Sequence, residues 1–180
     1  GCAVDRSGDV IHIDSTHITA CSIPHELMRA MRSSVIFLGA VAGRCGEAWL
    51  SMPGGCELGP RPIDLHLAAL RALGADIDDA GGTLRCRARR LTGCQIVLAT
   101  PSVGATENAM LAACGCPGVT TIVGAAREPE IVDLQGFLRA LGADIDGAGR
   151  FSKIWNITLP SIMPTIKILL VLSIGRLLSV

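Results

Sequence analysis

Leu70-Arg71-Ala72-Leu73-Gly74-Ala75-Asp76-Ile77-Asp78 recurs without a change as Leu138-Arg139-Ala140-Leu141-Gly142-Ala143-Asp144-Ile145-Asp146. In each copy helical spacing runs up to a glycine, which favours the turn that ends a helix, and the residues after it open a strand. The surroundings repeat as well. Ahead of the first copy, Leu27, Met28, Met31, Val35, Leu38 and Val41 predict a helix over 24–43, a short buried strand follows over 48–51, and an amphipathic helix covers 63–73. Ahead of the second stand a strand over 96–99, a helix over 104–114, a strand over 120–123 and a Gly/Pro-bearing loop over 124–129. One supersecondary unit is thus used twice. Such a unit cannot bury its helices alone, so neighbouring units must pack them together, which makes the fold class α/β.

Between the buried strand and the first amphipathic helix lies Ser51-Met52-Pro53-Gly54-Gly55-Cys56-Glu57-Leu58-Gly59-Pro60-Arg61-Pro62-Ile63-Asp64-Leu65. Its Gly and Pro density forbids a regular helix or a central strand and predicts a mobile loop, with Cys56 as its only thiol. An unperturbed cysteine titrates near about 8.5, so at neutral pH Cys56 carries a proton it could donate, or becomes a nucleophile once ionised. Arg61 can grip a phosphate or carboxylate through paired donors, and the helix after it offers its N-terminal amides to anions. Against this stands an ordinary surface loop with an incidental cysteine. Loop composition leaves both readings open.

Elsewhere, Ser7-Gly8-Asp9 predicts a turn and 10–14 an alternating strand. A strand over 83–88 puts Arg85 and Arg87 on one face, opposite Cys86. With Arg89 and Arg90 these read as a solvated face, a nucleotide phosphate being the alternative. His12 and His17 read as strand-face and loop histidines before metal ligands, and His25 and His66 are read in the same way. Cys114 and Cys116 form the one close cysteine pair, without the second pair or nearby histidine of a zinc site. Glu128 and Glu130 bracket Pro129 where carboxylates favour a helix start.

At 49% hydrophobic residues over 180 positions, the chain is long and apolar enough for a sizeable core and is not disordered. A formal net charge of +0 excludes the electrostatic footprint of a nucleic-acid binder. Eight irregularly spaced cysteines without a signal peptide read as reduced thiols, not as a secreted disulfide framework.

Five motifs carry a resemblance. Met31-Arg32-Ser33-Ser34, Pro53-Gly54-Gly55-Cys56, Gly59-Pro60-Arg61-Pro62-Ile63-Asp64-Leu65-His66, Ser102-Val103-Gly104-Ala105-Thr106-Glu107-Asn108 and Ala125-Ala126-Arg127-Glu128-Pro129-Glu130-Ile131-Val132-Asp133 stand in order. Together they resemble the UDP-N-acetylglucosamine enolpyruvyl transferase family over residues 1–148. The cysteine in Pro-Gly-Gly-Cys separates that family from the related shikimate-pathway transferases, which lack it. The resemblance implies an inside-out α/β barrel, three α/β units in each of two domains, with helices inside and sheets outside. This chain would carry the tail of one unit and most of two more, a truncated form of the fold.

The implied activity is transfer of the enolpyruvyl group of phosphoenolpyruvate to the 3-hydroxyl of UDP-N-acetylglucosamine, in cytoplasmic peptidoglycan synthesis. The resemblance makes Cys56 the proton donor and the site of alkylation by fosfomycin. It makes Arg32 and Arg61 ligands of anionic groups, and lets Arg61, Pro62, Ile63, Asp64, Leu65, Ser102 and Val103 line the nucleotide-sugar site. No metal or cofactor is implied. Two positions before Ser102 the family commonly has lysine; here Thr100 and Pro101 precede the serine, which removes one charged contact. Family sites lie between two domains, so the chain alone is expected to bind UDP-N-acetylglucosamine weakly and turn nothing over.

The composition changes near residue 150. Every cation before Lys153 is Arg or His, and the last thirty residues are crowded with Ile and Leu. Residues 149–180 resemble the coupling segment of sugar-type ABC importer permeases, a cytoplasmic loop ending in Leu159-Pro160 before a membrane helix. The run over 162–180 has the length of a C-terminal apolar, membrane-spanning helix, although Lys167 and Arg176 are unfavourable in hydrocarbon. A permease component is therefore the alternative function, with membrane association through 162–180 only. A fusion of two gene fragments near 146–150 would explain both resemblances.

Overall fold

The computed structural model describes residues 2–18, 20–30, 34–51, 63–79 and 82–147. It begins with an antiparallel hairpin of β1 (Ala3–Ser7) and β2 (Val10–Asp14), turning at Gly8-Asp9. The second strand is the expected one. The first, Ala-Val-Asp-Arg-Ser, carries too little apolar alternation to announce itself and is paired by its neighbour.

The first complete unit follows as β3 (Ser22–Ile23), α1 (His25–Ala30), a 3-10 turn (Ser34–Ile36), α2 (Phe37–Cys45), β4 (Glu47–Ser51), α3 (Asp64–Ala72), β5 (Asp76–Asp78) and β6 (Thr83–Arg87). The helix expected over 24–43 is therefore two helices with a 3-10 turn between them. Two bonds outside the helical pattern act at that turn: the Ser34 hydroxyl donates to the Met28 carbonyl at 3.0 Å, and the Val35 carbonyl accepts from Asn108 at 3.2 Å. The second unit is β7 (Gln95–Val97), α4 (Val103–Ala113), β8 (Thr120–Val123), α5 (Pro129–Ala140) and β9 (Ile145–Gly147).

The repeated nonapeptide closes its helix identically in both units. Gly74 and Gly142 take φ of 103° and 96°, a region costly for any residue with a Cβ. Their N–H groups donate to Arg71 and Arg139 at 3.0 and 2.9 Å, and Ala75 and Ala143 donate to Leu70 and Leu138, both at 3.0 Å. This is the paired bonding of a Schellman motif, and each alanine and its leucine are buried. The strands that follow are then used differently. β5 lies at the edge of a sheet ordered β3-β4-β6-β5, separated from its parallel neighbour by the antiparallel β6, whereas β9 pairs directly and in parallel with β8 in the sheet β7-β8-β9.

The helices share one core between the two sheets. α4 packs against α2, α3 and α5, and most of its residues are buried. Each sheet turns one face inward: in β6 Leu84 and Cys86 are buried while Thr83 and Arg87 are exposed. The expected opposition of Arg85 and Arg87 to Cys86 holds, with Arg85 lying over the Trp49 ring at 3.9 Å and Arg87 paired with Asp76 at 3.0 Å. Where α2 crosses α4 the backbones nearly touch. A Cβ on Gly39 would stand well inside van der Waals contact with the Asn108 carbonyl and side-chain oxygens, and one on Gly43 would lie 3.2 Å from the Ala112 carbonyl. Glycine at these two positions, one helical turn apart, is what allows the approach.

Among the described residues no helix is long and apolar enough to cross a membrane. The coupling-like segment and the expected apolar helix over 162–180 lie outside the described residues.

Candidate functional site

The described segments that supply expected binding residues converge at the N-terminal ends of α3 and α4. α3 begins after buried Ile63, with exposed Asp64 in its first turn, where its charge suits the helix dipole, and Leu65 half-buried against the core. α4 begins after Ser102, whose backbone is extended and whose hydroxyl accepts the Ala105 N–H at 3.4 Å, the bond of an N-cap. Val103 packs against the core beside it. A Cβ on Gly104 would lie 3.1 Å from His66 Cε1 and 3.9 Å from Ile36 Cγ2, so the first turns of α3 and α4 meet beside the 3-10 turn. Ile63, Asp64 and Leu65 are thereby brought to the same end of the fold as Ser102 and Val103. Arg32, Cys56, Arg61 and Pro62 lie outside the described residues.

The convergence is held from inside by Asn108, which is fully buried. Its side-chain oxygen accepts the Gly39 N–H at 2.6 Å, and its amide group donates to the Val35 carbonyl at 3.2 Å. The same amide lies 3.1 Å from His66 Nδ1, which accepts from it. One side chain therefore binds α2, the 3-10 turn and α3 to α4. Thr106 extends the connection: its hydroxyl donates to the Ser102 carbonyl at 2.7 Å and accepts the Ala126 N–H at 3.1 Å, joining the start of α4 to the loop that enters α5. Sequence reasoning included Asn108 and Thr106 in a motif without assigning them this role. The available signal was two polar residues inside an otherwise apolar, Ala-rich helix. His66 is a buried, hydrogen-bonded residue of α3, neither a strand-face nor a loop histidine.

Glu107, on the first half of α4, is pushed above the ordinary carboxylate range by burial and then by the charge of Glu130 on α5. A cavity of about 300 Å³ lies between α4, α5 and the β7-β8-β9 sheet, lined by Thr106, Met110, Ile122, Ile131 and Ile145, with Arg127 as its charged lining residue. A second cavity, about 430 Å³, includes Arg89 and Arg90 but sits with Gly43, Ala112 and Cys116 at the C-terminal ends of α2 and α4. Helix carbonyls there disfavour anions, so these arginines are at the wrong end for the phosphate role and stand as a solvated surface. Among the described residues no group of His, Cys, Asp and Glu could hold a metal ion.

The model of the EPSP synthase (3-phosphoshikimate 1-carboxyvinyltransferase) family matches residues 2–161. The chain belongs to this family. Within it the chain is similar to UDP-N-acetylglucosamine 1-carboxyvinyltransferase 2 of Caldanaerobacter subterraneus subsp. tengcongensis, with 51% identity over 149 residues, covering 83% of this chain and 36% of that protein. Its identity to UDP-N-acetylglucosamine 1-carboxyvinyltransferase 1 of Carboxydothermus hydrogenoformans is 49% over 142 residues, covering 79% of this chain and 34% of the relative. The chain thus spans little more than a third of the length of the relatives it matches. The fold is like that of the enolpyruvyl transferase NikO from Streptomyces tendae, with a TM-score of 0.66 and 24% identity over 84% of this chain and 38% of NikO. It is also like EPSP synthase from Acinetobacter baumannii, with a TM-score of 0.53 and 23% identity over 83% of this chain and 35% of that one. The family match passes beyond residue 148, where the sequence reading ended the transferase segment.

Proposed function

We propose that the chain is part of an enzyme that transfers the enolpyruvyl group of phosphoenolpyruvate to the 3-hydroxyl of UDP-N-acetylglucosamine, for peptidoglycan synthesis. The observation that carries this reading is the 51% identity to a UDP-N-acetylglucosamine 1-carboxyvinyltransferase, extended over 83% of the chain. Pro53-Gly54-Gly55-Cys56 supports it against the shikimate branch. In the proposed reaction Cys56 protonates the methylene carbon of phosphoenolpyruvate, the neighbouring carbon becomes electrophilic, and the sugar hydroxyl adds there. Loss of a proton and of phosphate then restores the double bond. Arg32 and Arg61 bind anionic groups of the two substrates. Pro62, Ile63, Asp64, Leu65, Ser102 and Val103 line the nucleotide-sugar site, and the meeting of the α3 and α4 starts supports that grouping.

The architecture we propose for the whole protein is the inside-out α/β barrel, of which the two units here are successive repeats; the helices shared between the sheets support it. The transferase reading extends through residue 161 with the family match. Permease character and membrane association rest on the resemblance of residues 149–180 alone.

The test is a graft. Residues 2–147 replace the corresponding segment of the C. subterraneus protein, and phosphate release is followed with both substrates. Activity within about tenfold of the parent is expected, with a loss of about 10²-fold or more on Cys56→Ala. A folded graft that is inactive, or one indifferent to Cys56→Ala, would overturn the assignment. The 180-residue chain by itself is expected to release no phosphate above background.

A further inference from the structure

Cys21 and Cys45 meet where α2 passes the chain to β4. Cys21 immediately precedes β3, and its carbonyl accepts the Trp49 N–H at 2.8 Å, which fixes it beside the first half of β4. Cys45 is the last residue of α2; Gly46, with φ of 76°, turns the chain from it into β4. Because β3 and β4 run parallel, with Ser22 opposite Trp49, both cysteines lie at the same end of the strand pair. Both are half-buried, and the Cys21 side chain lies near enough to the Cys45 thiol to act on it. Burial, and next the Cys21 side chain, hold the Cys45 thiol above its ordinary pKa.

The other described thiols are placed differently. Cys86 is wholly buried, and the Cys94 and Cys116 thiols donate to the Ala72 and Ala112 carbonyls, each at 3.3 Å. Cys2 is exposed near the start of the hairpin, and Cys114 is half-buried just past the end of α4, near enough to Cys116 for its charge to raise that thiol. The proposed transfer chemistry uses Cys56 and neither member of the pair.

We propose that Cys21 and Cys45 are a disulfide-forming pair, a covalent modification site at which an oxidising small-molecule disulfide clamps residues 21–45. The Cys21 thiolate attacks one sulfur of oxidised glutathione; that S–S bond breaks, and one glutathione leaves as a thiolate that takes up a proton. Cys45 gives its proton to solvent and attacks the Cys21 sulfur of the mixed disulfide, releasing the second glutathione. The protein loses two hydrogens, and the glutathione disulfide is reduced to two thiols. Closure requires little rearrangement because both cysteines stand at the same end of the parallel β3-β4 pair. It ties the entry of β3 to the exit of α2, the two ends of the crossover that carries the 3-10 turn.

The experiment uses the full chain, equilibrated with defined ratios of oxidised and reduced glutathione, quenched by alkylation and digested with trypsin and Glu-C together. Cleavage after Glu47 separates Cys45 from Cys56, so a cross-link between peptides 7–26 and 45–47 identifies the bond without ambiguity. That cross-link is expected as the dominant intramolecular disulfide, and it should raise Tm by roughly 5–10 °C. Cys21→Ser should abolish both effects and leave Cys45 as a glutathione adduct. Separate adducts on Cys21 and Cys45 in the unsubstituted chain would overturn the proposal. So would a preferred bond to another thiol, or a gain in Tm that persists in Cys21→Ser.

Discussion

Asn108→Ala should be among the most damaging single substitutions in the chain. The side chain is fully buried and makes three hydrogen bonds, to the Gly39 N–H, the Val35 carbonyl and His66 Nδ1. Truncation removes all three and fills the space with nothing, so their partners lose their bond inside the core. Each orphaned buried group costs about 1–3 kcal/mol, and the new cavity adds to this. The groups share one space and relax together, so the costs do not sum; a net loss of about 3–5 kcal/mol is expected. That is a large part of a total stability of about 5–15 kcal/mol. Urea unfolding followed by circular dichroism measures it. A double-mutant cycle with His66→Ala should show coupling of about 0.5–3 kcal/mol. A loss below about 1 kcal/mol for Asn108→Ala would refute the view that this residue holds α2, α3 and α4 together.

Two further outcomes follow from the β4-β6-β5 sheet. Cys86 is pushed up to about 11, first by burial and then by the Asp76 charge. The folded chain therefore keeps that proton where the unfolded chain loses it, and stability should fall as pH rises from about 9 through about 11; Cys86→Ala should flatten that alkaline slope in urea titrations. Arg87→Ala should cost less than about 1 kcal/mol in the same assay despite the 3.0 Å ion pair with Asp76, because both side chains are largely in solvent, at 44% and 72% exposure.

Much of the fold was legible in the sequence because its elements carry their own local chemistry. The helix closing at Gly74 and Gly142 is written in spacing and turn chemistry. What was not legible depends on partners outside the local periodicity. The interruption at Ser34–Ile36 accompanies bonds from Ser34 to Met28 and from Asn108 to Val35, neither visible in local periodicity. The identical nonapeptides lead into β5 and β9, yet β6 stands between β5 and β4 while β9 touches β8 directly. No reading of nine equal residues could separate those outcomes, since the neighbouring strand decides them. At the site, the residue types of Ile63, Asp64, Leu65, Ser102 and Val103 were legible as a motif, but their meeting through His66 and Gly104 is a tertiary fact. Asn108 was hidden for a related reason: a polar residue in a helix becomes a core tie only when three other segments bring their polar groups to it.

Amide chemical-shift mapping of the isotope-labelled chain decides whether the joined starts of α3 and α4 form part of a UDP-N-acetylglucosamine site. UDP-N-acetylglucosamine and shikimate 3-phosphate are titrated in parallel. Saturable shifts from UDP-N-acetylglucosamine centred on Asp64, Leu65, Ser102 and Val103 are expected, with none there from shikimate 3-phosphate. Saturable shifts from shikimate 3-phosphate at those amides, or UDP-N-acetylglucosamine shifts confined to the Arg89 and Arg90 end of the fold, would contradict that site assignment.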